Sequence, residues 1–194
     1  MSSTNRSEAR QEHASDYYIT PVKDIELFLH ELIKYEPEVF NNSKLILDPC
    51  SGGDSKYPMS YPEALKKFTD TPIVTCDIRE DSLAKHKANY LKVKLRKYDM
   101  IITNPPFNIA KEIIQKALED VNEGGFVVML LRLNYFGSKD RFEFWKNNLP
   151  KYSFVHHSRI GFIPDQPSKT DSIEYMHAVW QKGHTPEFCN LRVI

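Results

Sequence analysis

The chain has 194 residues, 41% hydrophobic and 27% charged, enough for one globular domain with a sizeable core. Its 26 basic and 26 acidic residues cancel, which excludes a strong global field for nucleic acid and leaves any such contact to local patches. No apolar run nears the roughly 18 residues of a membrane span, and no signal-peptide pattern opens the chain. The separated Cys50, Cys76 and Cys189 fit neither a disulfide framework nor a zinc site, so a reduced, cytoplasmic setting is expected.

Residues 1 to about 15 are polar and aperiodic and are expected to form a flexible tail, with 16–194 as a single domain. Ile25, Phe28, Leu29, Leu32 and Ile33 have helical spacing, and Thr20 before Pro21 reads as an N-cap with proline at the first helical position. Lys44-Leu45-Ile46-Leu47 predicts a first strand, ending in Asp48-Pro49-Cys50-Ser51-Gly52-Gly53-Asp54-Ser55. Glycines in such a loop let the backbone pass close to a ligand. A helix over Tyr61–Phe68 and a strand over Ile73–Cys76 follow, the strand closed by Asp77. Nucleotide-binding α/β folds place a ribose-holding carboxylate at that point, although strand-end acids are also ordinary turn formers. Asp81 to Lys87 suggests another helix, capped by Asp81, leading to Asn89-Tyr90-Leu91. Lys85, Lys87, Lys92, Lys94, Arg96 and Lys97 crowd one stretch, either a solvated face or a phosphate-tracking patch.

The segment Asp99-Met100-Ile101-Ile102-Thr103-Asn104-Pro105-Pro106-Phe107 ends a buried strand at the edge where open α/β sheets bind ligands. Two prolines fix φ at successive positions and hold Asn104 extended. The turn presents an amide, bare carbonyls and an aromatic ring, a set that can accept from an amino group on a planar π-system. Ile109 to Val121 has helical spacing and runs to Gly124-Gly125. Phe126 to Leu131 reads as a strand buried on both faces, followed by Arg132. A helix over Ser138–Trp145, a strand over Ser153–His156, a polar loop over 158–173 and a last strand from Glu174 to Trp180 complete the pattern. His156 and His157 are adjacent on a strand and so point to opposite faces, which argues against a shared metal.

Strands alternating with helices predict an α/β fold with a mainly parallel sheet. Asn104-Pro105-Pro106-Phe107 resembles the Asn-Pro-Pro-Phe/Tyr motif of S-adenosylmethionine-dependent amino-methyltransferases, most familiarly the N6-adenine methyltransferases. Asp48-Pro49-Cys50-Ser51-Gly52 resembles their cofactor loop, Asp-Pro-x-x-Gly-x-Gly, with Asp54 where the last glycine usually stands. Thr20-Pro21 resembles the motif at the methionine end of the cofactor. Asn89-Tyr90-Leu91 occupies the place of the Asp-Phe/Tyr-Leu motif at its adenine, with Asn replacing Asp. The order is similar to the gamma arrangement of DNA amino-methyltransferases, and the chain looks most like small phage and prophage adenine-methyltransferase-like proteins.

The resemblance implies a Rossmann-like class I methyltransferase fold with a seven-stranded sheet, S-adenosylmethionine as cofactor and no metal. Thr20, Pro21, Asp48, Pro49, Cys50, Gly52, Asp77, Ile78, Asn89 and Tyr90 would bind the cofactor. Asn104 and the Pro105 carbonyl would accept from the target amine, Pro106 would stiffen the turn, and Phe107 would stack on a flipped base. The implied reaction is methylation of the exocyclic amine of adenine in DNA. An RNA adenine or a protein glutamine amide presents a similar NH2, and a catalytically weak cofactor-binding subunit of a larger complex is a further alternative. With no separate target-recognition domain expected, sequence choice falls to the 158–173 loop, a specificity subunit or a second copy of the chain.

Overall fold

Alternation of apolar side chains along short strands builds the sheet and decides what packs on each face. The computed structural model describes residues 18–94, 97–162, 165 and 170–194. The tail expected over 1–15, together with Arg96, Pro164, Pro167 and Lys169, lies outside the described residues. The elements are α1 (Val22–Tyr35), β1 (Ile46–Asp48), α2 (Ser60–Leu65), β2 (Ile73–Asp77), β3 (His86–Lys87), β4 (Tyr98–Thr103) and α3 (Ala110–Asp120). They continue with β5 (Val121–Arg132), α4 (Phe142–Asn147), β6 (Tyr152–Val155), β7 (Tyr175–Gln181) and β8 (Asn190–Val193).

The strands form one sheet in the order β3-β2-β1-β4-β5-β7-β6-β8. β1, β2, β3, β4 and β5 run parallel to one another, whereas β7 is antiparallel to both β5 and β6. The sheet thus has eight strands among the described residues, not seven. Two of the eight are short edge strands: β3, of two residues, and β8, which pairs parallel with β6.

Register carries the period-two pattern across the sheet. Ile46, Met100, Phe126 and Val128 face α1 and α2, packing on Phe28, Leu29, Leu32 and Leu65. Their neighbours Leu47, Ile101, Val127 and Met129 face the opposite way, onto Ile113, Ile114 and Ala117 of α3 and Phe144 and Trp145 of α4. Every strand residue from Phe126 to Leu131 is buried, as a two-sided core strand requires.

Two local expectations are corrected. α1 starts at Val22 with Pro21, not Thr20, in the capping position, and the Thr20 side chain makes no cap hydrogen bond. The stretch from Asp81 is not helical. The Asp81 carboxylate receives the Arg79 guanidinium at 3.0 and 2.8 Å and so does not cap a helix. Leu83 N donates instead to Gly52 O, which pulls this segment onto the loop after β1. β3 then pairs Cys76 with His86 and Asp77 with Lys87.

β1 has β2 on one side and β4 on the other, so the order reverses there. The crevice beyond the carboxyl ends of such strands is where open α/β sheets bind ligands. Asp48 ends β1, Asp77 ends β2 and Asn104 follows β4 directly, which brings three residues far apart in sequence to one edge.

Candidate active site

The turn after β4 holds Asn104 half-buried, Pro105 buried and Pro106 half-buried before the chain enters α3. Asn104 Nδ2 donates to Thr20 Oγ1 at 3.1 Å and, more weakly, to the Tyr18 carbonyl at 3.4 Å. A backbone carbonyl only accepts, so the amide must present its NH2 to Tyr18 and turn Oδ1 away. Thr20, fully buried and unused as a helix cap, thereby orients the side chain that heads the tetrad.

The loop after β1 is tied down by its neighbours. Ser51 N and Oγ both donate to the Cys76 carbonyl, and Gly52 N donates to Asp77 Oδ2 at 2.7 Å. Asp77 Oδ1 accepts from Arg79 N at 2.8 Å, so the carboxylate braces the loop while each oxygen keeps a lone pair for another donor. Gly52 and Gly53 have φ of 59° and 74°, the left-handed region. A Cβ on Gly53 would also lie 2.9 Å from Met59 Cγ. Asp54 needs no glycine freedom: its Oδ1 accepts from Lys56 N and Tyr57 N, a side-chain turn that organises the following residues.

Asp48 is completely buried. Its Oδ1 accepts from Cys50 N at 3.3 Å, and Oδ2 has no hydrogen-bond partner among the described residues. Burial pushes its pKa up to about 7, against a smaller lowering by the nearby Thr103 hydroxyl. Burial likewise raises the Cys50 thiol and the Tyr61 hydroxyl well above their usual ranges.

These elements line a cleft that opens to solvent. Thr20, Pro49, Cys50, Asp77 and Ile78 line it, and so do Asn89, Tyr90, Asn104 and Pro106. Ile78 is 61% exposed and forms a free apolar lip. Asn89 Oδ1 accepts from Leu91 N at 3.0 Å, capping a 3-10 turn over Tyr90–Lys92. Pro21, Asp48, Gly52, Pro105 and Phe107 are not in the lining. Pro21 starts α1, Asp48 and Gly52 support the loop from beneath, and Pro105 is buried in the turn.

Phe107 is 8% exposed and packs with Leu130, Ile160, Phe162 and Tyr175. The Arg132 guanidinium stands 4.6 Å from its ring centroid. Sequence reasoning missed Tyr18, Ser60, Tyr61 and Arg79 in the lining. Tyr18, two residues before Thr20, could have been found from the Tyr17-Tyr18 pair ahead of the Thr-Pro step; Tyr61 sits on an ordinary amphipathic turn and carries no signal. Within the basic run, Lys97 Nζ donates to the Glu119 carbonyl and Lys87 Nζ to Ser82. Lys85, Lys92 and Lys94 are exposed.

The residues present suit S-adenosylmethionine. Asp77, on the lining, offers carboxylate oxygens to the hydroxyl and ammonium groups of such a ligand, and Pro49, Cys50, Ile78 and Tyr90 offer apolar surface to its remainder.

The architecture and cleft define a class I S-adenosylmethionine-dependent methyltransferase. A protein from Listeria monocytogenes described as a member of that class superposes with a TM-score of 0.65 at 15% identity, over 95% of this chain and 68% of that one. The EcoKI M protein of a type I restriction enzyme gives 0.50 at 14% identity, over 73% of this chain and 40% of that one. A protein from Clostridium thermocellum described as an rRNA-methylase gives 0.50 at 14% identity, over 81% and 97%. These likenesses concern the fold. A comparison with curated protein sequences finds no match. Residues 79–181, more than half of the chain, match the DNA N-6-adenine-methyltransferase (Dam) family, and the chain belongs to that family. It is a methyltransferase that uses S-adenosylmethionine.

Proposed function

We propose that the protein methylates the exocyclic amine of adenine in DNA. The observation that carries this reading is the Asn104 amide, pinned through its NH2 by Thr20 and Tyr18 on the rim of the cleft. A pinned amide offers its oxygen to an incoming N–H without paying to reorient.

S-adenosylmethionine, when bound, supplies a methyl group already activated on a sulfonium. The protein's part is therefore orientation and exclusion of water, which can contribute roughly 7–11 kcal/mol. Asn104 Oδ1 and the Pro105 carbonyl accept the two amine hydrogens of adenine. That arrangement favours a pyramidal nitrogen with its lone pair directed into the cleft, a geometry closer to the transition state than to the flat ground state. Asp48, Asp77 and the loop of Pro49, Cys50 and Gly52 hold the cofactor, with Thr20 and Pro21 at one end and Ile78, Asn89 and Tyr90 at the other. A base must leave its duplex stack to reach Asn104, at a cost of a few kcal/mol. Target choice rests on the 158–173 segment or on a partner, either a specificity subunit or a second copy.

Incubation with tritium-labelled cofactor and, separately, DNA and RNA tests the reading. Label in adenine-containing DNA is the expected result. Label in RNA alone would change the substrate class, and label in neither would refute the proposal.

A further inference from the structure

The aromatic residue of the tetrad is not free to receive a base. The Arg132 guanidinium stands over the Phe107 ring, 4.6 Å from its centroid, and the tilted rings of Tyr18 and Tyr175 pack against it with centroids at 6.1 and 5.9 Å. A base stacked on that face would need the space that Arg132 fills. Arg132 ends β5, paired in register with Tyr175 of β7, so its Cα is fixed by the sheet while its long side chain reaches over the ring. The guanidinium also lies beside the Tyr175 hydroxyl, which donates to Asp171 at 2.7 Å.

The pose is incompletely satisfied. Arg132 Nε is buried and has no hydrogen-bond partner among the described residues, although it is a donor that ordinarily finds one. Withdrawing this side chain from Phe107 therefore forfeits a cation–π contact and exposes a donor that gains a partner. A guanidinium is planar and stacks on aromatic faces, bases included, in a way that an ammonium cannot.

Resting on the reading that a flipped adenine enters beside Asn104, we propose that Arg132 is a substrate-positioning residue. It covers Phe107 in the free enzyme and retreats to form the second face of a sandwich, with the base between its guanidinium and the Phe107 ring. Side-chain torsions alone can supply such a retreat while β5 stays in place.

Steady-state kinetics on an adenine-containing oligonucleotide, with Arg132→Ala and Arg132→Lys beside the wild type, test this. The sandwich predicts that Ala raises KM for the oligonucleotide about three- to thirtyfold, the range of a desolvated cation–π contact. Lys should raise it nearly as much, because it keeps the charge and loses the plane. Calorimetric affinity for S-adenosylmethionine should match wild type, and a urea transition well above assay conditions in both variants separates loss of positioning from loss of folding. A lower KM in Arg132→Ala would overturn the sandwich and make the residue a simple plug. A Lys variant with wild-type KM would overturn it in favour of a phosphate contact. A wild-type enzyme that leaves the oligonucleotide unmethylated fails the underlying substrate reading, an outcome distinct from methylation insensitive to Arg132, which fails the sandwich alone.

Discussion

Replacing Asp48 with Asn should stabilise the free protein at alkaline pH while weakening its hold on the cofactor. The carboxyl is buried, has one oxygen unpaired, and keeps its proton up to about pH 7 instead of 3.8. Between those values the folded chain binds a proton that the unfolded chain has released, so this group's contribution to stability falls as pH rises and levels off above about 7. At about 1.4 kcal/mol per pH unit, the full cost of the ionised carboxylate at pH 8 is about 4 kcal/mol. Asn cannot ionise. Its Oδ1 can keep the hydrogen bond from Cys50 N, and its NH2 lies near the Thr103 hydroxyl, which has no partner among the described residues. The variant should exceed wild type by roughly 2–4 kcal/mol at pH 8, allowing for an imperfect new hydrogen bond, and the gap should shrink towards pH 5. His156 acts in the opposite sense: burial lowers its pKa to about 4, so its contribution is lost as pH falls from 6.5 through 4. Urea titrations of both proteins at each pH, followed by tryptophan fluorescence, cancel that contribution in the difference. S-adenosylmethionine affinity should fall, because Asp48 supports the loop that carries Pro49 and Cys50 from beneath, through Cys50 N. Equal stability of variant and wild type at pH 8 and pH 5 would refute the claim that Asp48 is a buried, uncompensated carboxyl.

Asn104→Ala should lower turnover by about a hundredfold, roughly 3 kcal/mol, with little change in calorimetric cofactor affinity; lost cofactor binding with normal residual turnover would contradict its assigned role. Thr20→Val removes the acceptor that orients Asn104 and should cost roughly 0.5–1.5 kcal/mol in kcat, read by single-turnover methylation, while an unchanged rate would show that the turn alone orients the amide. Lys92 and Lys94, both exposed, replaced together with Ala should flatten the salt dependence of duplex binding by a slope of up to about 1.8, at about 0.9 per phosphate. Lys97→Ala should instead leave that slope unchanged, because Lys97 caps the last turn of α3 through Glu119 O, and should cost about 0.3–1 kcal/mol in urea unfolding.

The parts of the fold legible in the sequence are those where one local signal suffices. The apolar Ile101-Ile102 run before two prolines locates the end of β4, and the periodicity of Ile25 to Leu32 locates α1. What failed depends on partners distant in the chain or on competing side-chain chemistry. Asp81 looks like a cap until Arg79, two residues away, takes its carboxylate. Thr20 looks like a cap until Asn104, 84 residues on, takes its hydroxyl as acceptor. β8 carries Leu191 and Val193 exposed on an edge, so no buried face writes alternation into its sequence. The tetrad was readable as a motif, but the cover over Phe107 was not, since Arg132 arrives from the next strand. The lone Asp54 departure from the expected glycine pattern has a local explanation in its own turn.

The most direct test of the central claim is the chemical position of the transferred methyl group. Duplex and single-stranded DNA would be treated with the protein and cofactor, digested to nucleosides and resolved by mass spectrometry against standards. The account predicts N6-methyl-2′-deoxyadenosine, more abundant on unpaired adenines where flipping costs least, and lost in Asn104→Ala. Methyl found on a ring nitrogen, on cytosine or only on protein would contradict it.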